Sequence, residues 1–146
     1  MAVDFADEAQ VLAATLYGEA RGEGEAGLEA VACVVLNRVR IARAGNRAQF
    51  GCGTVASCCL APWQFSCWNE ADPNRAKLLA LDFDRPIFAS EWQCLEIARR
   101  ALAGGLPDTV DGATFYKVSS LPWPREWGRQ VPPAKVIGRQ SFYRLA

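Results

Sequence analysis

Apolar residues recur at helical spacing from the start of the chain: Phe5, Ala9, Leu12 and Leu16 fall at i, i+4, i+7 and i+11 on one face. This predicts a helix from about Asp4 or Asp7 to about Gly22, with Gly18 and Gly22 favouring an end or a turn. A second helix is predicted from about Glu25 to Ala44, with Leu28, Val31, Val35 and Val39 on one face and Gly45 as its stop. It is the most apolar long segment and so the expected central helix of the core, with Arg38, Arg40 and Arg43 on its wet side. Asn37 interrupts it with a polar group, read either as exposed or locally bonded, or as an orienting hydrogen bond to Glu19. Thr54 is placed to cap a short helix from Val55 to Leu60, which Pro62 ends. Asp72-Pro73 reads as a cap followed by a proline at the first helical position, opening a turn or short helix through Leu79. Beyond a break at 82–86, Phe88, Trp92, Leu95 and Leu102 mark a third long helix that ends at Gly104-Gly105.

The pattern then changes period. Asp111-Gly112 is a turn signal that leads into a strand over 114–118. Residues 119–133 hold Pro122, Pro124, Pro132 and Pro133 together with Trp123 and Trp127, an irregular loop too aromatic for a linker. Residues 135–138 and 141–145 read as a closing pair of strands. The class is α+β: a helical body with a small antiparallel sheet near the C-terminus, in a single domain spanning 1–146. No repeat or domain boundary interrupts it.

Composition narrows the chemistry. The chain has 146 residues, long enough for one domain with a real core, and 51% of them are apolar. Sixteen basic residues balance sixteen acidic ones, so there is no surplus of positive charge for phosphates and nucleic acid is not the expected partner. No apolar run approaches the ~18 residues that span a bilayer, so membrane insertion is not expected. Met1-Ala2-Val3-Asp4 lacks the basic and apolar regions of a signal peptide, which implies synthesis in the cytoplasm.

The most selective count is zero histidines. It excludes Ser-His-Asp triads, Cys-His pairs and the usual histidine-containing zinc centres. Carboxylates, lysines and tyrosines remain for acid–base work, and no metal or organic cofactor is implied. Six cysteines are present, Cys33, Cys52, Cys58, Cys59, Cys67 and Cys94, without a C-x-x-C pair. Cys33 and Cys94 fall in apolar helical patterns and read as core. The 52–67 cluster leaves room for one bridge in an oxidising compartment, with its pairing open.

Glu19 follows Leu16 by three residues and Leu12 by seven, so it lies on or beside the buried face of the first helix. A carboxyl turned toward a core near a helix end is partly desolvated, which is the condition a general acid near neutral pH requires. The alternative is a solvated glutamate at a fraying end. Glu23, one turn on, is the candidate second carboxylate. Residues 63–69, Trp-Gln-Phe-Ser-Cys-Trp-Asn, alternate aromatic rings with hydrogen-bonding groups. Such alternation suits a half-buried strand, and equally a sugar-binding wall on which C–H faces stack while hydroxyls find partners. Glu70 and Asp72 flank that wall.

Several stretches resemble the SleB/CwlJ-type cell-wall hydrolases, the spore cortex-lytic group with many phage relatives. They are Tyr17-Gly18-Glu19-Ala20-Arg21-Gly22-Glu23, Gly27-x3-Val31, and Val35-Leu36-Asn37-Arg38-Val39. Gln64 to Asn69 with Asp72-Pro73-Asn74-Arg75 is similar to the phage-borne branch. Gly112-Ala113-Thr114-x-Tyr116 and Ile137-Gly138-x3-Phe142-Tyr143 match the C-terminal motifs. The likeness covers roughly 10–144 and keeps the order of the motifs. It implies a lysozyme-like fold of the lytic transglycosylase kind, with Glu19 as the catalytic acid. Two family histidines are replaced, by Phe115 (with Lys117 nearby) and by Gln140.

The expected substrate is the peptidoglycan glycan strand, cut at the β-1,4 bond between N-acetylmuramic acid and N-acetylglucosamine to leave 1,6-anhydro ends. Gln64, Phe65, Ser66, Tyr116 and Trp127 are the candidate groove residues. The expected form is a monomer acting on the wall, most simply a phage or prophage endolysin let out through a separate membrane pore. A hydrolytic muramidase of the same fold, or an inactive glycan-binding or virion component, is the alternative. A peptidoglycan amidase is disfavoured by the lack of histidine.

Overall fold

Asp7 starts the first helix: its carboxylate accepts the Ala9 N–H at 3.0 Å, and α1 runs Glu8–Ala20. The computed structural model describes residues 3–45, 48–62 and 64–145. Trp63, the first ring of the expected aromatic wall, lies outside them. The other helices are α2 (Gly24–Arg43), α3 (Val55–Leu60), α4 (Pro73–Leu79) and α5 (Ala89–Leu102). The strands are β1 (Phe115–Val118), β2 (Lys135–Ile137) and β3 (Gln140–Tyr143). Single 3₁₀ turns lie at Ala48–Phe50, Ser66–Trp68 and Arg125–Trp127. Among the described residues no helix is long and apolar enough to cross a membrane.

The helix at the centre is α1 rather than the longer α2. Residues Val11 to Leu16 are all fully buried, and α1 packs against α2, α3, α4 and α5 together. A segment apolar on every side fits only where neighbours surround it, and this one carries Val11, Leu12, Ala13, Ala14 and Leu16 in succession. Burying Leu12 and Leu16 contributes about 1.5–3 kcal/mol each. Phe5, assigned to the same face, instead sits in the turn before α1, 46% exposed, with its ring 5.7 Å from that of Trp68.

Capping sets the short helices. Thr54 Oγ1 accepts the Ser57 N–H at 3.1 Å while Ser57 Oγ accepts the Thr54 N–H at 3.3 Å, a reciprocal pair that opens α3. Glu8 reaches from α1 to accept the Ala56 N–H at 2.7 Å, so a carboxylate faces the positive end of α3. Asp72 caps α4 through the Asn74 N–H at 2.8 Å. In α5 the buried face is Glu91, Cys94, Leu95, Ile97, Ala98 and Ala101, whereas Phe88, Trp92 and Leu102 are exposed. Of the four residues expected on that face only Leu95 is buried, because the inward positions of α5 include the small Cys94, Ala98 and Ala101.

The sheet has the order β1-β3-β2, antiparallel throughout, with Tyr116 opposite Phe142 and Lys135 also opposite Phe142. Gly138 turns β2 into β3 with φ +57°, a conformation L side chains rarely take. Residues 64–69 form no strand. The Ser66–Trp68 turn sends Phe65 and Cys67 into the core while Gln64 and Ser66 stay toward solvent. All six cysteines are free, Cys52 exposed and the others buried, so the bridge considered for 52–67 is not formed.

Candidate active site

Glu19 lies in the last turn of α1, half-buried, on the wall of an open cavity of about 780 Å³. The cavity runs between the 64–66 segment, β1 and the 124–127 segment, so helical body and sheet each supply a side. Tyr116, on β1, donates its phenol to Glu19 Oε1 at 2.6 Å. The Cys67 N–H approaches Glu19 Oε2 at 3.4 Å, a long and weak contact. Gly18 makes that approach feasible: a Cβ there would lie 2.8 Å from Cys67 Cβ. Burial, then the adjacent Glu19 charge and the hydrogen bond to it, raise the Tyr116 phenol well above the usual tyrosine range. The phenol therefore remains a proton donor to Glu19 at ordinary pH.

Arg38 is the residue that sequence reasoning misplaced. Assigned to the wet side of α2, it is 3% exposed and lines the cavity. Its guanidinium faces the rings of Phe50, Phe65 and Phe115 at 5.1, 4.9 and 4.9 Å, and Nε donates to the Thr114 carbonyl at 2.7 Å. Desolvated cation–π contacts of this kind are worth about 2 kcal/mol. Burial lowers the Arg38 pKa from its usual value, countered by the nearby Tyr116 and Glu19, yet an arginine stays cationic. The signal was present: Arg38 follows Val35 by three residues and Val31 by seven, on the buried face.

A profile of the cell wall hydrolase family matches residues 22–143, most of the chain. The chain belongs to the cell wall hydrolase family. The profile match begins just after Glu19. The catalytic domain of the germination-specific lytic transglycosylase SleB from Bacillus anthracis is similar in structure, with a TM-score of 0.65 and 25% identity over 94% of this chain and 93% of that one. The catalytic domain of Bacillus cereus SleB is similar with a TM-score of 0.61 and 25% identity, over 94% of this chain and 89% of that one. No sequence among curated proteins matches the chain. The helical body with a three-stranded sheet near the C-terminus is thus the fold of the SleB catalytic domain.

In this cell wall hydrolase Gln64, Ser66, Tyr116 and Trp127 line the same cavity as Glu19. Phe65, expected beside them, is 1% exposed and lies in the core beneath, under the Arg38 guanidinium. Glu23, the candidate second carboxylate, is outside the cavity lining and bonded to Arg139, because α1 stops at Ala20 and the chain turns before Glu23. Glu70 and Asp72 border a separate concavity with Pro62 and Trp68. Asn37 does not reach Glu19; it is buried and donates to the Ala113 carbonyl at 2.9 Å, tying α2 to the approach of β1.

Other lining residues went unnoticed in the sequence. Gln49, Pro124, Glu126 and Leu145 join the wall, as do Phe115 and Lys117. Phe115, at one replaced family histidine, packs edge-on against Trp127 at 5.3 Å, and Trp127 against Trp123 at 5.2 Å. The Lys117 ammonium donates to the carbonyls of Val118, Ser119 and Leu121, at 3.2, 3.1 and 2.6 Å, and so pins the loop after β1. Gln140, at the other replaced histidine, is buried in β3 away from the cavity.

Proposed function

We propose that this cell wall hydrolase cleaves the β-1,4 bond between N-acetylmuramic acid and N-acetylglucosamine in peptidoglycan, as a lytic transglycosylase, with Glu19 as acid and then base. The observation that carries the reading is the pairing of Glu19 with Tyr116 at the cavity wall, with Glu23 drawn away to Arg139. Tyr116 donates to Oε1 and the Cys67 N–H approaches Oε2, and the reaction needs Glu19 to hold a proton when substrate binds. Glu19 gives that proton to the bridging oxygen as the glycosidic bond breaks. The carboxylate then takes the proton of the muramoyl C6 hydroxyl, whose oxygen closes on C1 to form the 1,6-anhydro ring. One carboxyl serves both steps, whereas ordinary glycosidases need a second at about 5–9.5 Å. The likeness to SleB, named a lytic transglycosylase in the B. anthracis case, supports the same outcome. Gln64, Ser66 and Trp127 are the proposed sugar contacts.

Glu126, which lines the same cavity, favours a second reading as a hydrolytic muramidase. Mass spectrometry of digested sacculi separates the two: anhydromuramoyl ends support the transglycosylase and reducing muramic ends the hydrolase. Free stem peptides or no release would defeat both. Glu19→Gln should abolish release while the protein still binds sacculi. The likeness of residues 64–75 to phage-borne members makes lysis from within a host cell the proposed setting. Expression with and without a pore-forming partner tests it, through lysis that depends on the pore.

A further inference from the structure

We infer that Arg38 is a substrate-binding residue of the Glu19 cavity, its guanidinium taking a carbonyl oxygen of the bound glycan. The inference rests on the glycan-cleaving reading above. Two cations line the cavity among the described residues, and they differ in what they have left to give. Lys117 is committed to three carbonyl oxygens. Arg38 spends Nε on Thr114, while its buried Nη1 has no hydrogen-bond partner. No carboxylate among the described residues forms an ion pair with it.

A buried cation held by ring faces and one carbonyl is poorly explained as a fold element. Apolar side chains of similar volume replace buried charges at no loss, and often at a gain, in stability. Arg38 is set into the wall of the cavity that holds Glu19 rather than projecting from it. The other polar lining near Glu19, Gln64 and Ser66, is neutral. A neutral sugar polymer offers a guanidinium two kinds of strong acceptor: the acetamido carbonyl of either sugar, and the lactyl acyl oxygen of the muramoyl unit. Both present the same carbonyl chemistry.

The test uses the inactive Glu19→Gln protein, with Arg38→Met or Arg38→Lys added, and measures affinity for glycan strands and thermal melting. Methionine keeps the apolar seat among the rings; lysine keeps the charge and loses the fork. The expected result is glycan affinity weaker by roughly tenfold to a hundredfold in an Arg38→Met protein that still folds. Loss shared with β-1,4-linked N-acetylglucosamine oligomers assigns the acetamido oxygen. Loss confined to muramoyl-containing strands assigns the lactyl one. If Arg38→Met does not fold, Arg38→Lys is read in the same way. Unchanged affinity in a folded variant overturns the inference, and so does failure of both variants to fold, which would make Arg38 a structural residue. A Glu19→Gln protein that binds no glycan, or still cuts it, defeats the functional reading itself, a result distinct from either.

Discussion

Tyr116 and Glu19 are separated by 97 positions in the chain, yet the Tyr116 phenol lies 2.6 Å from Glu19 Oε1. The contact joins the end of α1 to the edge strand of the sheet and orients the Glu19 carboxyl group. Tyr116→Phe removes that hydrogen bond and little volume, and the ring keeps its stacking on Phe142 at 5.6 Å. Turnover on sacculi is expected to fall by roughly tenfold to a hundredfold, the worth of one hydrogen bond to a charged or charge-developing group. Retained near-ultraviolet dichroism would show that the loss is local.

The same phenol gives the protein an alkaline dependence with a definite sign. Its folded pKa lies well above the ordinary tyrosine value of about 10, raised by burial first and by Glu19 next. Below about pH 10 the phenol is protonated in both folded and unfolded chains and adds no pH dependence. Above it, the unfolded chain loses the proton while the folded one retains it, so stability falls as pH rises toward the folded value. Melting temperatures of the parent and Tyr116→Phe should therefore differ by a constant up to pH 10 and converge above it. A gap that stays constant to pH 11.5 would contradict the raised pKa.

Thiol chemistry should single out Cys52. It is exposed, and hydrogen bonds with Ser57 and Thr54 lower its pKa, which favours the reactive thiolate. Burial pushes Cys58 up to about 11 and Cys94 to about 12, and raises Cys33, Cys59 and Cys67 as well. A disulfide reagent at pH 8 is expected to release one equivalent quickly from the native protein and the other five only on unfolding. Cys52→Ser should remove the fast equivalent.

Gly18 controls how closely the 66–68 turn approaches α1. In Gly18→Ala the new methyl group would meet Cys67 Cβ at 2.8 Å and Sγ at 2.9 Å. Alanine gains up to ~1 kcal/mol of helix propensity, against ~1–3 kcal/mol for overpacking a filled site. Net destabilisation of about 1–2 kcal/mol is expected in urea unfolding. Activity should fall further than stability, because the displaced turn carries the N–H that faces Glu19.

What the sequence shows of this molecule follows from whether the deciding interaction is local. Helix starts at Asp7, Thr54 and Asp72 were readable because each cap bonds within three residues. The half-buried position of Glu19 was readable because α1 is apolar up to its last turn. The periodicity of α2 put Arg38 on the buried face, but its seat was not readable, because the rings that hold it come from Phe50, Phe65 and Phe115, in three separate segments. The alternation over 64–69 was ambiguous because extended Phe65 followed by the Ser66–Trp68 turn buries Phe65 and Cys67 while Ser66 stays exposed, as a strand would. The wall formed by Pro124, Glu126 and Trp127 belongs to a loop, whose course proline content does not specify.

The three carboxylates nearest the argument should separate by variant. Glu23 pairs with Arg139, whose side chain is 74% exposed while that of Glu23 is 12% exposed, so Glu23→Gln should change stability by about 1 kcal/mol and turnover by less than about twofold. Glu126 lines the cavity from the 125–127 turn and is exposed. If a water were activated from the far side of the sugar, Glu126→Gln would cost as much as Glu19→Gln. In the intramolecular reaction the C6 hydroxyl is the nucleophile and Glu19 its base, so Glu126 has no proton to move. The expected result is that Glu126→Gln keeps turnover within a few fold and still releases anhydromuramoyl ends. A loss of a thousandfold or more, with the fold intact, would move the chemistry to a two-carboxylate mechanism and reassign the products.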